Sequence, residues 1–236
     1  MPVLFYLEKN QDMQQDYLIK TKFIALLITI LFVSNISIAQ IFGFKGGGNL
    51  CTIIGSEAPE YTKPLLRYNG GIFIEFPYSN FVSVLTEINY TQKGAFLEDS
   101  LPIVKNGYWQ IKEKLDYINI PVIYKLKLSN KDSELFSKWG IAGNILLSNN
   151  RDFYAEINGI ELPKNMYFQQ EAKFITVDLL LALGFRIGVF SMEIRYLMGV
   201  SNIYGGDEPI VAKNQVFQAN VLLNFYKVKK KKRHRW

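Results

Sequence analysis

The chain has 236 residues, 49% of them hydrophobic and 14% aromatic, which excludes a disordered protein and leaves room for one barrel or two small domains. The formal net charge of +6 does not mark a nucleic-acid binder, because residues 227–236, KVKKKKRHRW, carry seven Lys and Arg and the rest of the chain sums to −1. One cysteine, Cys51, excludes an intramolecular disulfide framework, and one histidine, His234, leaves no material for clustered His metal sites or His-dependent triads.

Residues 20–39, KTKFIALLITILFVSNISIA, have the layout of a cleavable secretory signal. Lys20 and Lys22 give the positive flank, Phe23 to Val33 the apolar run, and Ser37 with Ala39 the small residues before a cut at Gln40. The run is short of the ~20 residues a membrane helix needs. Glu8, Asp12 and Asp16 upstream are unusual for a signal, and Met13 is an alternative start. Asn49 and Leu50 lack the small residue a lipoprotein signal sets before its cysteine, so Cys51 is not expected to be lipidated.

From Gln40 to Tyr226 the pattern is period two throughout, and it predicts eight strands. They are Phe42–Leu50, Gly70–Tyr78, Phe81–Thr91, Tyr117–Leu128, Lys138–Ser148, Phe174–Ile187, Phe190–Ser201 and Val216–Tyr226. The sixth and seventh alternate most strictly: Ile175, Val177, Leu179, Leu181, Leu183 and Phe185 oppose Thr176, Asp178, Ala182 and Arg186, and Met192, Ile194 and Tyr196 oppose Glu193 and Arg195. Soluble strands usually run about 5–6 residues, whereas a tilted strand crossing a bilayer needs ~9–11. Connections alternate between short (Ser79, the NKDSE around Lys131, Gly188 and Val189) and long (51–69, 95–116, 149–173 and 203–215). That is how outer-membrane barrels distribute periplasmic turns and external loops, and it puts both termini on the periplasmic side. The expectation is an all-β fold: an eight-stranded antiparallel up-and-down transmembrane barrel over 40–226, preceded by the signal at 1–39 and followed by the basic tail at 227–236.

A closed eight-stranded sheet can also be a soluble, lipocalin-like carrier with its apolar face turned inward around a small apolar ligand. The charges favour the membrane reading. One face carries Lys45, Glu75, Glu87, Lys125, Lys127, Asp178, Arg186, Glu193 and Arg195, both signs in modest number, and such a set can neutralise itself as a structural network inside a narrow lumen. Phe76, Tyr78, Phe81, Tyr90, Trp139, Phe190, Phe217 and Phe225 gather near strand ends, as interfacial girdles do.

Four stretches carry a family resemblance: GFKGGGNL at 43–50, LTEINYTQKGA at 85–95, DYINIPVIYKLKL at 116–128 and MEIRYLMGVSNIY at 192–204. In order along the chain, they resemble the PorT-like outer-membrane β-barrel family. The resemblance implies an eight-stranded barrel in the outer membrane of a Gram-negative bacterium. It also implies a link to protein secretion, since PorT itself is associated with an export system. Such barrels commonly end near the last strand's aromatic, here Phe225, whereas this chain continues for eleven residues.

No enzymatic activity and no cofactor are expected. Glu98, Asp99, Asp207 and Glu208 read as solvated loop carboxylates, and Gly46 to Gly48 as close strand packing or a bulge, since the Lys-Ser/Thr of a phosphate loop is missing. The 149–173 connection, with Phe153, Tyr154, Ile157, Ile160, Met166, Tyr167 and Phe168, is expected to offer a contact surface. The expected partners are outer-membrane lipid and other envelope or secretion proteins, with a solvated tail and no nucleic acid. The role is that of an accessory envelope component or a surface-binding protein.

Overall fold

The computed structural model describes residues 41–55, 62–100, 107–129, 133–157, 160–161, 172–205 and 211–226. The signal-like segment, the basic tail and residues 162–171 and 206–210 lie outside them. Ten strands follow in order: β1 (Ile41–Ile54), β2 (Thr62–Lys63), β3 (Leu65–Pro77), β4 (Val82–Ser100), β5 (Gly107–Lys127), β6 (Ser133–Ile157), β7 (Ile160–Glu161), β8 (Ile175–Ile187), β9 (Phe190–Gly199) and β10 (Lys213–Tyr226). The eight long ones pair antiparallel with their neighbours in sequence, and β1 pairs with β10, so the sheet closes without an edge. β2 and β7 are two-residue strips laid on β4 and β6.

The register gives the barrel's dimensions. A row of paired residues from Cys51 through Val216, Leu197, Leu180, Gly140, Ile123, Leu85 and Glu75 returns to β1 at Ile41, ten residues from its start. Ten rises of ~3.3 Å against eight spacings of ~4.8 Å tilt the strands by about 40° and set a backbone radius of about 8 Å, room for side chains alone.

The alternation sorts the two faces cleanly. Leu181, Leu183 and Ile194 point outward at 60%, 64% and 69% exposure, whereas Glu87 and Arg195 point inward at 1% each. The soluble-carrier alternative required the reverse. At the rim with the tight turns, the Ser79 hydroxyl accepts the N–H groups of Phe81 and Val82, and Gly188 adopts a left-handed φ of 58° that a two-residue hairpin favours. Both ends of the barrel lie at this rim, where Ile41 pairs with Tyr226. The triple glycine is no bulge, since the β1 register runs through it unbroken, and it packs closely at Gly47 alone, where a Cβ would meet the Ala219 carbonyl oxygen at 2.0 Å; Gly46 and Gly48 have room for one.

Three expected long connections hold strand. β4 and β5 stay paired to Ser100 and Tyr108, β6 stays paired with β5 to Ile157, and β1 with β3 occupy much of 51–69. The outward apolar row ends near Tyr90 and Ile118, and beyond it the outward face of β5 and β6 turns polar, as at Lys112, Lys114 and Asp152. Pairing continues there without an apolar stripe to announce it. Wall contacts β3–β4 and β6–β8 stop at Asn69–Thr91 and Ile145–Ile175, so β4, β5 and β6 leave the barrel as a three-stranded projection. One extra β6 residue, Leu147, sits opposite the Asp116–Tyr117 step where the projection departs. The β3–β4 fork is braced by the Asn49 amide, which donates to the carbonyls of Tyr68 (3.2 Å) and Gln92 (2.8 Å), and by an Arg67–Asp116 ion pair at 2.9 Å.

Candidate functional site

The lumen and its mouth hold the chain's concentrated chemistry. Nearest the tight turns, Lys125 sits 3.1 Å from Glu75 and 2.6 Å from Glu134, and Lys127 lies 3.6 Å from Glu134. Arg186 spans the same two carboxylates, bonded to Glu134 and 3.6 Å from Glu75. The Phe136 ring lies under the ammonium groups of Lys125 and Lys138 at 4.6 and 5.0 Å, over a Gly184 whose Cβ would meet that ring at 2.5 Å.

At mid-barrel, Arg195 is the hub. Its two terminal nitrogens grip both Glu87 oxygens at 2.7 and 2.8 Å, and Nη2 also reaches Glu193 at 2.7 Å. Lys45 lies 2.8 Å from Glu87, and Lys138 lies 2.6 Å from Glu193. All five side chains are buried, which holds such charges in place only because each finds an opposite partner. Higher still, Lys93 pairs with Asp178 and donates to Asn144 at 3.0 Å, while the Asn119 amide donates to the same Asn144 oxygen at 2.7 Å.

An apolar layer closes the lumen above Lys93. Ile53, Ala95, Leu115 and Tyr117 from the wall meet Ile203 and Ala212 from the β9–β10 connection. The Tyr117 ring stands 5.1 Å from the Lys93 ammonium. Above this layer, the buried Glu113 carboxylate of β5 takes Arg151 of β6 at 3.0 Å and the hydroxyl of Tyr204, and burial together with the Glu113 charge pushes the Tyr204 phenol well above its usual range.

All nine charged residues singled out from the sequence point inward, but not as one set. Lys45, Glu87, Glu193 and Arg195 meet at mid-barrel, and Glu75, Lys125, Lys127 and Arg186 at the turn end. Asp178 stands apart with Lys93. Lys93, Glu134, Lys138, Glu113, Arg151 and Tyr204 were missed. Lys93 and Glu134 are in phase with inward neighbours Glu87 and Lys138, a signal lost because QKG and NKDSE also read as turns. The side chains of Glu98 and Asp99, and the residues Asp207 and Glu208, lie outside what is described.

Among the described residues, the interior holds interlocked ion pairs and amides that join strands across the lumen. The outward belt is apolar and edged by aromatic pairs, Phe42–Phe225 at 5.4 Å on the turn side and Tyr68–Tyr90 at 6.1 Å on the other.

Solved structures similar to this chain include OprG of Pseudomonas aeruginosa (12% identity, 80% of this chain and 96% of that one, TM-score 0.43) and the attachment invasion locus protein Ail of Yersinia pestis, crystallised with the heparin analogue sucrose octasulfate (9%, 80% and 99%, 0.40). Neisserial surface protein A is another (8%, 78% and 97%, 0.40). No curated protein matches the sequence. The family model for the outer membrane protein beta-barrel domain matches residues 38–205, most of the chain. The protein therefore belongs to the outer membrane protein beta-barrel domain family, and its apolar belt is the face it turns to the lipid of a bacterial outer membrane.

Proposed function

We propose that the protein is a non-enzymatic envelope component whose barrel is a closed scaffold and whose working surface is the projection of β4, β5 and β6. One observation carries this reading: the lumen is filled and capped, while β4 runs ten residues past Tyr90, whose ring pairs with Tyr68 at the edge of the belt. A strand that only crosses a bilayer needs no such extension. The rim with the tight turns and both barrel ends faces the periplasm, and the projection stands outside the cell.

Its outward face offers Lys112, Lys114 and Asp152, with the Lys114–Asp152 pair half in solvent, a polar surface suited to a protein or carbohydrate partner. The network at Lys45, Glu75, Glu87, Lys125, Lys127, Asp178, Arg186, Glu193 and Arg195 is structural. The expected contact surface at 149–173 falls partly on β6 and β7, and Met166, Tyr167 and Phe168 lie outside the described residues.

The resemblance to the PorT-like family supports a second reading, an accessory role in protein export through the opposite rim. Photo-crosslinkers at Lys112 and Asp152, and separately at Ser79 and Gly188, separate the two in intact cells. External partners captured from the first pair support the surface reading. Periplasmic partners captured only from the second pair would replace it with the export reading.

A further inference from the structure

Residues 200–205 and 211–212, the two described ends of the β9–β10 connection, turn across the mouth of the barrel rather than standing away from it. Ile203 is fully buried there; its N–H donates to the Ala212 carbonyl at 2.8 Å, and its carbonyl accepts from Lys173 N–H at 2.6 Å. Ala172 and Tyr204 form a further bridge, so the β9–β10 and β6–β8 connections are stitched together over the lumen. Among the described residues, a polar knot ties this assembly to the projection. Glu113 receives Tyr204 on one oxygen and Arg151 on the other, Arg151 also donates to the Tyr204 hydroxyl at 3.2 Å, and its guanidinium lies 5.6 Å from the Tyr204 ring. The Glu113 side chain has no exposure to solvent.

We propose that residues 200–205 and 211–212 form a lid on the outer mouth, latched to the projection by Glu113, Arg151 and Tyr204, and that this latch keeps water out of the upper lumen. Two features make the latch the point of control. The apolar layer under it takes Ile203 and Ala212, with Tyr204 packed against them, from the described part of the lid, so its burial depends on the lid being held down. The three latch residues also come from β5, β6 and the lid itself, so any motion of the projection relative to the barrel acts on them first. Charge-assisted hydrogen bonds to a desolvated carboxylate are among the strong ones, and losing one partner leaves the other groups buried and unsatisfied.

The chain carries its own reporter. Cys51, the only cysteine, is fully buried one inward position below Ile53 of the apolar layer, with its sulfur 3.5 Å from the Gln92 carbonyl. The experiment is mixed-disulfide formation at Cys51 by a charged thiosulfonate, which transfers its thio group and releases sulfinate, in the folded full-length barrel in detergent micelles, followed by mass spectrometry. Heat-resistant electrophoretic mobility certifies that the barrel is intact. In the unaltered protein, Cys51 is expected to react far more slowly than in the unfolded chain. Glu113→Gln and the milder Tyr204→Phe should each speed labelling by roughly tenfold or more. The reversed pair, Glu113→Arg with Arg151→Glu, should restore protection, and Lys114→Ala, on the outer face of the same strand, should leave the rate unchanged. Labelling of the unaltered barrel at the unfolded rate, or latch variants with intact barrels that label no faster than Lys114→Ala, would overturn the proposal.

Discussion

Replacing Arg195 by Met probes the mid-barrel network where it is most concentrated. The substitution removes a fully buried cation that makes two bonds to Glu87 and one to Glu193, and supplies apolar bulk in its place. Removing one partner of a buried ion pair costs about 3–5 kcal/mol, because the partner's charge stays behind without compensation. Here each carboxylate keeps one cation, Lys45 on Glu87 and Lys138 on Glu193, so the expected loss is at the low end, about 3 kcal/mol. Adding Glu87→Gln to Arg195→Met removes the carboxylate that Arg195 gripped but leaves Lys45 with Glu193 alone, at 3.9 Å. Because both substitutions delete the same Arg195–Glu87 contact, the double variant should lose less than the sum of the two single losses, a departure from additivity of ~1–2 kcal/mol, the scale expected for residues in direct contact. The assay is urea unfolding of the protein in lipid vesicles, followed by loss of the heat-resistant electrophoretic form. If Arg195→Met unfolds within about 0.5 kcal/mol of the parent, or the two substitutions simply add, the network is not what holds the middle of the barrel.

Three further perturbations test the wall. Arg at Leu181 or Val122 should cost ~2–4 kcal/mol if those positions sit near the bilayer midplane, whereas Arg at Leu128, beside the tight turns, should cost ~0–1; equal losses at all three sites would contradict the placement of the belt. Trp139 is half exposed on the outer wall, 4.8 Å from the Tyr124 ring, so lipids with brominated acyl chains should quench its emission, and Trp139→Phe should abolish the quenchable fraction. Persistence of that fraction in Trp139→Phe would place another tryptophan in the lipid. Gly184→Val sets a Cβ 2.4 Å from the Met192 carbonyl oxygen and 2.5 Å from the Phe136 ring, and should cost ~1–3 kcal/mol through overpacking, measured by the same urea titration.

The sequence carried the barrel far better than it carried what lies beyond it. Inside lipid, two solvents of opposite character lie on the two sides of one strand, so every residue has to declare a side, as Leu179-Leu180-Leu181-Ala182-Leu183 does through its two neighbours Asp178 and Arg186. Past Tyr90 and Ile118 the outward face meets water instead of lipid, while Lys93, Ala95, Glu113 and Leu115 stay buried on the inward face. Selection on alternation relaxes there, and Gln92-Lys93-Gly94 or Asn149-Asn150-Arg151 reads as loop although it is paired strand. The same relaxation hid the latch. Glu113 is one residue among LysGluLys, and its inward aim follows only from carrying the phase of Asn119, Tyr117 and Leu115 outward along β5. Tyr204 had no such phase to follow, since it is fixed by the fold of a connection rather than by a strand.

A lipid-facing belt cannot by itself select one barrel among many. Hydrocarbon accepts any apolar outward residue at nearly the same free energy, so a slip of two residues between any pair of strands keeps the apolar rows outside and changes only the shear. The lumen can discriminate. Its ion pairs join strands that are not neighbours: β1 to β4 through Lys45–Glu87, β9 to β4 through Arg195–Glu87, β4 to β8 through Lys93–Asp178, β5 to β3 through Lys125–Glu75, and β6 to β9 through Lys138–Glu193. A two-residue slip anywhere in the ring moves at least one partner ~6–7 Å along its strand, beyond reach of its counter-charge, and strands both ions in a dry interior. The buried charges thus do for this barrel what a single buried polar residue does for a coiled coil. They contribute less through net stability than through making every other register worse, and the resulting single shear of ten is what sends β4, β5 and β6 out together, in phase, to form the projection.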